Sequence, residues 1–295
     1  DMNRSHFSGG ANKKDQAHEA YVVQRDLEEL MASGWPVTSL WTNDENDDLL
    51  ALVLSALLYV TTARAQEYPR MSEADRIERL APPTERPVRM VLDTDTYNEI
   101  DDQFALVYAL ISPELDVQAV YAAPFLNKRS TGPGDGMEKS YEEILRVLSR
   151  LGKEADGFAF KGSTHYLTDP RNPEKSPASL DLVQKAKQSS PDDPLYVVAV
   201  GAITNVGNAI LIEPSIIHNI VVVWLGGNEH HWPHQREFNF RQDLNASRVI
   251  FDSGVPFVQL PCTPIVTHCT TTVPEMDEDP IFRDFFTKLE KQKGN

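Results

Sequence analysis

Four aspartates lie within ten residues of one another at the end of a short apolar run: Asp93, Asp95, Asp101 and Asp102. Carboxylates this close repel one another unless a positive charge lies among them. Carboxylate oxygens are also the ligands that Ca²⁺ and Mg²⁺ prefer in proteins. An acidic first turn of a helix would explain Asp101 and Asp102 without a metal, because acidic side chains are favourable there. It would not explain Asp93 and Asp95, so the spacing favours a site for a divalent cation.

Short apolar runs alternate with segments of helical spacing along residues 87–260, and this alternation predicts the elements that position the aspartates. The predicted strands are residues 88–92, 117–122, 195–200, 220–225 and 256–260, and the predicted helices are residues 102–111, 138–151, 205–213 and 243–252. Strands that alternate with helices are typical of βαβ units. We therefore predict an α/β fold with a mainly parallel, Rossmann-like open sheet and helices on both faces.

Polar residues follow each predicted strand, where ligands bind in open parallel sheets. Behind the Asp-rich turn, the residues that follow the later strands are Asn127, then Gly201, Thr204 and Asn205, then Gly226, Gly227, Asn228, Glu237 and Asn239, and finally Thr263, Thr267 and His268. Because the carboxyl ends of parallel strands meet at one edge, we expect these segments to converge there.

The segment 91–106 combines a strand, an Asp-x-Asp turn, a pair of aspartates and a helix rich in Ala and Leu. This order resembles the signature of the inosine-uridine-type, calcium-dependent nucleoside N-ribohydrolases. The resemblance continues through residues 122–127, 198–205 and 224–245, and it reaches residues 267–268. We therefore expect a divergent, C-terminally incomplete member of this family, with a nucleoside hydrolase-like domain over residues 87–295.

The resemblance implies hydrolysis of the N-glycosidic bond of a ribonucleoside to ribose and free base, with Ca²⁺ as cofactor. It implies that Asp95, Asp102 and the backbone carbonyl of Val200 hold the ion, and that Asp95 takes the proton from a calcium-bound water. Asp101 would bind one ribose hydroxyl. The remaining sugar contacts implied by the resemblance are Asn127, Glu237 and Asn239. His268 is expected either at the edge of the substrate site or as an ordinary structural histidine.

Two departures from the family pattern concern this site. Five residues, 96–100, separate Asp95 from Asp101, where the family usually has three with a Pro-Gly turn. Both ligands can still face one cation if this loop bulges, which would bring Asn98 or Glu99 into the site. The family's late His-Asp or Trp-Asp block, which supplies a last ligand, is not found after His268. The acidic residues 277–279 are candidates for a substitute ligand, against the alternative of solvated tail charges.

Two other functions stay open on the sequence alone. The first is a non-catalytic nucleoside- or sugar-binding remnant of the fold, which the missing late block favours. The second is a phosphatase of the haloacid dehalogenase type, because residues 93–97 partly fit its Asp-x-Asp-x-Thr opening, with Tyr97 in place of Thr. In that case Asp93 would be the nucleophile. This hypothesis leaves Asp101 and Asp102 without a function.

The N-terminal residues 1–86 are expected to form an extension and linker, with residues 69–87 as the proline-punctuated linker. The apolar run 49–60 is too short for a membrane-spanning helix, which needs roughly twenty residues. Together with the small residues up to Ala65, segment 49–65 is similar to the end of a secretory signal, although acidic residues precede it. The alternative for this segment is a buried or amphipathic helix. The sequence therefore leaves both a cytoplasmic location and export open.

Charge and local composition define the expected partners. The formal net charge of −16 argues against nucleic-acid binding, which needs clustered Lys and Arg. We expect a small-molecule ribonucleoside as substrate and no membrane span, and the resemblance implies a homodimer or homotetramer. The glycine-rich residues 132–136 are expected to form a flexible loop. The segment 230–234 contains three histidines and Trp232, and it is interpreted as a surface loop, a nucleobase contact or a zinc site.

Overall fold

Six parallel strands form one sheet in this protein, whose computed structural model describes residues 68–270 together with Pro274 and Arg283. The strands are β1 (Val88–Thr94), β2 (Leu115–Ala122), β3 (Ala159–Lys161), β4 (Leu195–Ala199), β5 (Ile220–Leu225) and β6 (Phe257–Leu260). They lie in the order β3-β2-β1-β4-β5-β6, and every neighbouring pair is parallel. This is the strand order of a doubly wound α/β sheet. The predicted fold class is confirmed.

Seven α-helices connect or flank these strands within the described residues. They are α1 (Glu73–Arg79), α2 (Ile100–Ile111), α3 (Pro133–Arg150), α4 (Pro177–Lys187), α5 (Thr204–Ile212), α6 (Phe238–Gln242) and α7 (Leu244–Asp252). Two short 3₁₀ helices cover Pro214–His218 and Val266–His268. None of the helices in this part of the chain combines the length and the apolar character needed to cross a bilayer.

The two faces of the sheet bury separate apolar cores because successive side chains of a strand point to opposite sides. In β1, Val91 packs into a core that also contains residues of α4, α5 and α7. Its neighbours Met90 and Leu92 pack on the other face, against residues of α2 and α3. Helices therefore cover both faces, as predicted.

The strand order reverses between β1 and β4, because β2 and β3 lie on one side of β1 while β4, β5 and β6 lie on the other. Ligands of doubly wound sheets bind in the crevice outside the carboxyl ends of strands at such a point. Here the Val200 N–H donates to the carbonyl of Asp93 at 2.8 Å, which joins the end of β4 to the Asp-rich turn. The fold thus places the four aspartates at the expected binding edge.

The prediction of a flexible loop over residues 132–136 is wrong. Pro133 occupies the first turn of α3, where its missing N–H costs nothing. A Cβ built on Gly136 would lie 2.1 Å from the carbonyl oxygen of Phe125, so this glycine allows the helix to pack closely on the loop after β2. Two of the three glycines in this segment, Gly134 and Gly136, therefore serve close packing.

The segment 69–87, expected to be a linker, contains α1, which Ser72 caps. Arg79 in this helix donates to the carbonyl of His218 at 2.5 Å. Strand β3 and the helices α4 and α6 were not predicted. The signal-like segment 49–65 and the acidic residues 277–279 lie outside the described residues, and the boundary at residue 87 stays a prediction.

Candidate active site

The Asp-rich turn connects β1 to α2 and buries three of its four aspartates. Asp93 is 0% exposed, Asp95 is 1% exposed and Asp102 is 7% exposed, whereas Asp101 lies on the surface. Thr94 Oγ1 donates to Asp102 Oδ1 at 3.0 Å, so the end of the strand is attached to the first turn of the helix. The longer turn therefore still directs Asp95 and Asp102 into one desolvated region.

Asp95 and Asp102 are the two carboxyl groups predicted to bind a cation, and each is buried without enough compensation for a negative charge. Neither oxygen of Asp95 has a hydrogen-bond partner among the described residues. Burial raises the pKa of Asp95 to about 8. Burial also raises the pKa of Asp102 well above its usual range, and the charge of Asp95 raises it further. A bound cation would satisfy both groups in their ionised form.

Gly201 provides the space beside the Asp95 carboxylate. A Cβ built on Gly201 would lie 3.1 Å from Asp95 Oδ1 and 3.1 Å from the Cβ of Ala123. The backbone of Gly201, which follows β4 and Val200, therefore lies directly beside the Asp95 carboxylate. This close approach brings the predicted carbonyl ligand, Val200, into the same part of the sheet edge.

Asp93 belongs to the scaffold of the turn. Asn205 Nδ2 donates to Asp93 Oδ1 at 2.8 Å and to the carbonyl of Ala122 at 3.1 Å. Asn205 Oδ1 accepts from the Ser163 N–H at 2.8 Å, so one buried amide joins the ends of β1, β2 and β3. Burial raises the pKa of Asp93 to about 7, against the opposing effect of the Asn205 hydrogen bond. The hydrogen bond from Asn205 gives Asp93 a structural function at the strand ends, which argues against the phosphatase hypothesis that needs it as the nucleophile.

Two of the predicted sugar contacts, Glu237 and Asn239, bind the backbone in this structure. Glu237 caps α6: its Oε1 accepts from the Asn239 N–H at 2.9 Å, and its Oε2 accepts from the Phe240 and Gly227 N–H groups at 2.8 Å each. Gly227 has a φ of +76°, a conformation that favours glycine. Asn239 Nδ2 donates to the carbonyl of Val200 at 2.8 Å. Both side chains lie at the predicted edge, and both have a structural function there.

Asn127, the third predicted sugar contact, is joined to the Asp-rich turn through Asn98. Asn127 Nδ2 donates to Asn98 Oδ1 at 2.6 Å, and the Asn98 N–H donates to the carbonyl of Asp95 at 2.6 Å. The guanidinium of Arg129 also donates to the Asn98 carbonyl. Asn98 is buried, so the extended turn brings Asn98 inward while Glu99 stays exposed.

His268 ends the 3₁₀ helix Val266–His268 and is exposed. No hydrogen bond joins its imidazole to another residue in the described part of the chain, so a contact with substrate stays a prediction. Within that same part, no cluster of three or more His, Cys, Asp or Glu side chains is arranged to hold a metal ion. The predicted calcium ligands are two carboxylates and one backbone carbonyl. They contain only two of the three side chains that define such a cluster, so this finding does not bear on the predicted site.

Two residues near the aspartates were not predicted. Burial raises the pKa of the Cys262 thiol, and the charges of Glu237 and Glu99 raise it further, which places the thiol among acidic site residues. Burial also raises the pKa of Tyr166, with further contributions from Asp243 and Asp95. Each residue reaches the site from a separate loop, after β3 for Tyr166 and after β6 for Cys262. Their proximity to the aspartates depends on the fold, so no local sequence pattern indicates it.

Comparison with known proteins agrees with this geometry. A family model described as inosine-uridine preferring nucleoside hydrolase matches residues 90–292. The chain belongs to this family. The resemblance stated from the Asp-rich turn is thereby confirmed, and it leaves no support for a haloacid dehalogenase-type phosphatase.

Two curated members of the nucleoside hydrolase family are similar to this chain. The pyrimidine-specific ribonucleoside hydrolase RihA of Citrobacter koseri is 32% identical over 181 residues, which cover 54% of this chain and 55% of the relative. RihA of Salmonella arizonae is 31% identical over 191 residues, covering 57% and 58%. The chain thus spans slightly more than half the length of these relatives.

A solved inosine-guanosine nucleoside hydrolase has a similar fold. It superposes with a TM-score of 0.53 at 18% identity, over 69% of this chain and 72% of that chain. At this identity the likeness concerns the fold alone, and it agrees with the doubly wound sheet described above.

Proposed function

We propose that this protein hydrolyses the N-glycosidic bond of ribonucleosides, releasing ribose and the free base. The observation that carries the proposal is the carboxylate of Asp95, buried without a hydrogen-bond partner at the crevice between β1 and β4. A general base needs such a free oxygen at the binding edge of the sheet. Membership of the nucleoside hydrolase family supports the same reaction.

The residues of the crevice fit a calcium ion. Asp95 and Asp102 supply buried carboxylate oxygens, the charge of Asp95 raises the pKa of Asp102, and Val200 supplies a carbonyl. Hard cations such as Ca²⁺ select this kind of oxygen donor. When bound, the ion would offset the two buried charges and lower the pKa of a water molecule it holds. The Val200 carbonyl already accepts one hydrogen bond, from Asn239, and has a second lone pair for the ion.

The chain's own groups would then divide the work. Asp95, ionised beside the cation, accepts the proton of the attacking water. Asp101 is exposed at the start of α2, where it can accept hydrogen bonds from a ribose hydroxyl. The carboxylates of the turn stabilise positive charge as it develops on the sugar, since glycosidic cleavage passes through an oxocarbenium-like transition state. Asn127, together with the acceptor positions of Glu237 and Asn239 that their backbone contacts leave free, would hold the remaining hydroxyls and orient the ring.

The decisive experiment measures ribose release from uridine, cytidine and inosine in CaCl₂ and in EDTA. Pyrimidine nucleosides come first because the curated relatives are named pyrimidine-specific. We expect calcium-dependent release of ribose, and we expect Asp95→Asn to abolish it. Asp116→Asn is the control and should leave it unchanged, because Asp116 lies near the start of β2, away from the carboxyl ends of the strands. Calcium-dependent binding of nucleoside without release would instead show a binding remnant. Phosphate release from a phosphomonoester would show a phosphatase.

A further inference from the structure

The side-chain amide of Gln242, the last residue of α6, binds both polar groups of the Leu126 backbone. Its Oε1 accepts from the Leu126 N–H at 2.9 Å, and its Nε2 donates to the Leu126 carbonyl at 3.3 Å. The two residues are 116 positions apart in sequence, so this contact joins the loop after β2 to the segment after β5. Leu126 directly precedes Asn127, one of the predicted sugar contacts.

The hydroxyl of Tyr166 adds a third hydrogen bond to this amide. It donates to Gln242 Oε1, the same oxygen that accepts from Leu126. The Leu126 backbone fixes the orientation of the amide, because an N–H group can only donate and a carbonyl can only accept, whereas a tyrosine hydroxyl can do either. Nε2 is therefore held toward the Leu126 carbonyl. Tyr166 is half-buried beside the site, where the charges of Asp243 and Asp95 add to burial in raising its pKa.

The rest of the loop is held from the opposite side. Ser130 Oγ donates to the Phe125 carbonyl at 2.9 Å and accepts from the Asn127 N–H at 3.3 Å. Gly136 packs against Phe125. Leu126 lies between Phe125 and Asn127 in this loop. Its side chain is 43% exposed, so apolar burial contributes little to holding its backbone in place. The hydrogen bonds from Gln242 are thus its anchor on the α6 side.

We propose that Gln242 and Tyr166 are positioning residues for substrate binding: they hold the Leu126 peptide so that Asn127 faces the ribose. This inference rests on the proposed function, because it assigns Asn127 a sugar hydroxyl. Neither residue touches the reacting atoms in this scheme. Losing them weakens binding of the sugar equally in the ground state and in the transition state, which raises KM and leaves kcat unchanged.

The test compares Gln242→Met and Tyr166→Phe with the wild type, using uridine. Methionine keeps the length of the side chain and removes all three hydrogen bonds of the amide. We expect Gln242→Met to raise KM about tenfold and Tyr166→Phe about threefold, with kcat within twofold, because a good hydrogen bond contributes about a factor of ten or less. The double variant should resemble Gln242→Met alone, since the tyrosine acts through the amide.

The matched controls are Gln118→Met and Tyr108→Phe. Gln118 is a half-buried glutamine of β2 that donates to Asp116 Oδ2 at 2.6 Å, and Tyr108 is 60% exposed on α2. Both should keep the wild-type KM. A Gln118→Met variant with the same rise in KM would overturn the proposal, because the effect would then be a general loss of packing.

Deoxyuridines separate positioning from structural damage. Measured with 2′-, 3′- and 5′-deoxyuridine, the KM penalty of Gln242→Met should disappear for the one substrate that lacks the hydroxyl bound by Asn127. An equal penalty for all three, or a fall in kcat with KM unchanged, would overturn the proposal. If the wild type binds uridine without cleaving it, the proposed function fails, and a tenfold weaker Kd for Gln242→Met by calorimetry would still support the positioning role. A wild type that neither cleaves nor binds overturns both.

Discussion

The side-chain amide of Asn239 donates a 2.8 Å hydrogen bond to the carbonyl oxygen of Val200, so a predicted sugar contact holds a predicted calcium ligand. The same nitrogen donates to the carbonyl of Leu225 at 3.0 Å. Because Val200 follows β4 and Leu225 ends β5, one amide attaches α6 to two neighbouring strands of the sheet. The orientation of the Val200 carbonyl therefore depends on Asn239.

Asn239→Asp should destabilise the protein although it changes only one atom of the side chain. The carboxylate cannot donate, so the Val200 and Leu225 carbonyls lose their partner and face a negative charge. We expect the free energy of unfolding to fall by about 3 kcal/mol in urea denaturation. Asn172→Asp, on an exposed residue, should change it by less than about 0.5 kcal/mol. Equal effects of the two variants would contradict the assigned contacts.

Gly201→Ala tests the close approach of the β4 segment to Asp95. The new Cβ would lie 3.1 Å from Asp95 Oδ1, so the carboxylate must move by a few tenths of an ångström. Catalysis depends on such distances, and we expect kcat for ribose release to fall about tenfold or more. Gly132→Ala is the matched control, since its Cβ would meet nothing within 4 Å. If both variants kept wild-type kcat, Asp95 would not be the base.

The sequence predicts the sheet well where a strand is an apolar run long enough to show itself. Strand β5 is found at its predicted bounds, Ile220–Leu225, because six consecutive apolar residues stand between turn residues. Strand β3, Ala159–Lys161, has only three residues and no recognisable pattern. Helix α4 carries Ser176 as its cap with Pro177 following, a start signal that could have predicted it.

The convergence of the polar segments is predictable from the sequence, but the contacts among them are not. Polar residues after strands converge because the fold is parallel, and this places Asn127, Glu237 and Asn239 near the aspartates. Their hydrogen bonds depend on loop conformations that no local pattern encodes. Tyr166 and Gln242, 76 positions apart, meet only in the folded chain.

Glu237→Gln tests the structural role found for a residue expected to bind sugar. Its carboxylate accepts from three backbone N–H groups, whereas a glutamine has one acceptor oxygen and turns an N–H₂ toward the others. We expect the free energy of unfolding to fall by about 2 kcal/mol. Glu138→Gln removes only an exposed ion pair with Lys161 and should cost less than about 1 kcal/mol. A Glu237→Gln variant with wild-type stability would contradict the capping contacts.

The buried carboxyl groups predict how stability depends on pH when calcium is removed. Burial raises the pKa of Asp93 to about 7 and that of Asp95 to about 8, so between these values and the unfolded pKa the folded chain binds more protons than the unfolded chain. Their contribution to stability is therefore complete below about pH 4 and is lost as the pH rises toward about 8. In EDTA, the free energy of unfolding should fall from pH 5.5 to pH 7.5, by up to about 1.4 kcal/mol per pH unit for each group.

Calcium should reverse this dependence, because the ion binds the ionised carboxylates and its binding releases their protons. Urea denaturation at the same pH values in CaCl₂ should therefore show a stability that is constant or rises with pH. Asp95→Asn removes one of the titrating groups, so its decline in EDTA should be shallower than that of the wild type. If the free energy of unfolding of the wild type in EDTA rises with pH over this range, the carboxyl groups are ionised without a cation. The calcium assignment would then lose its physical basis.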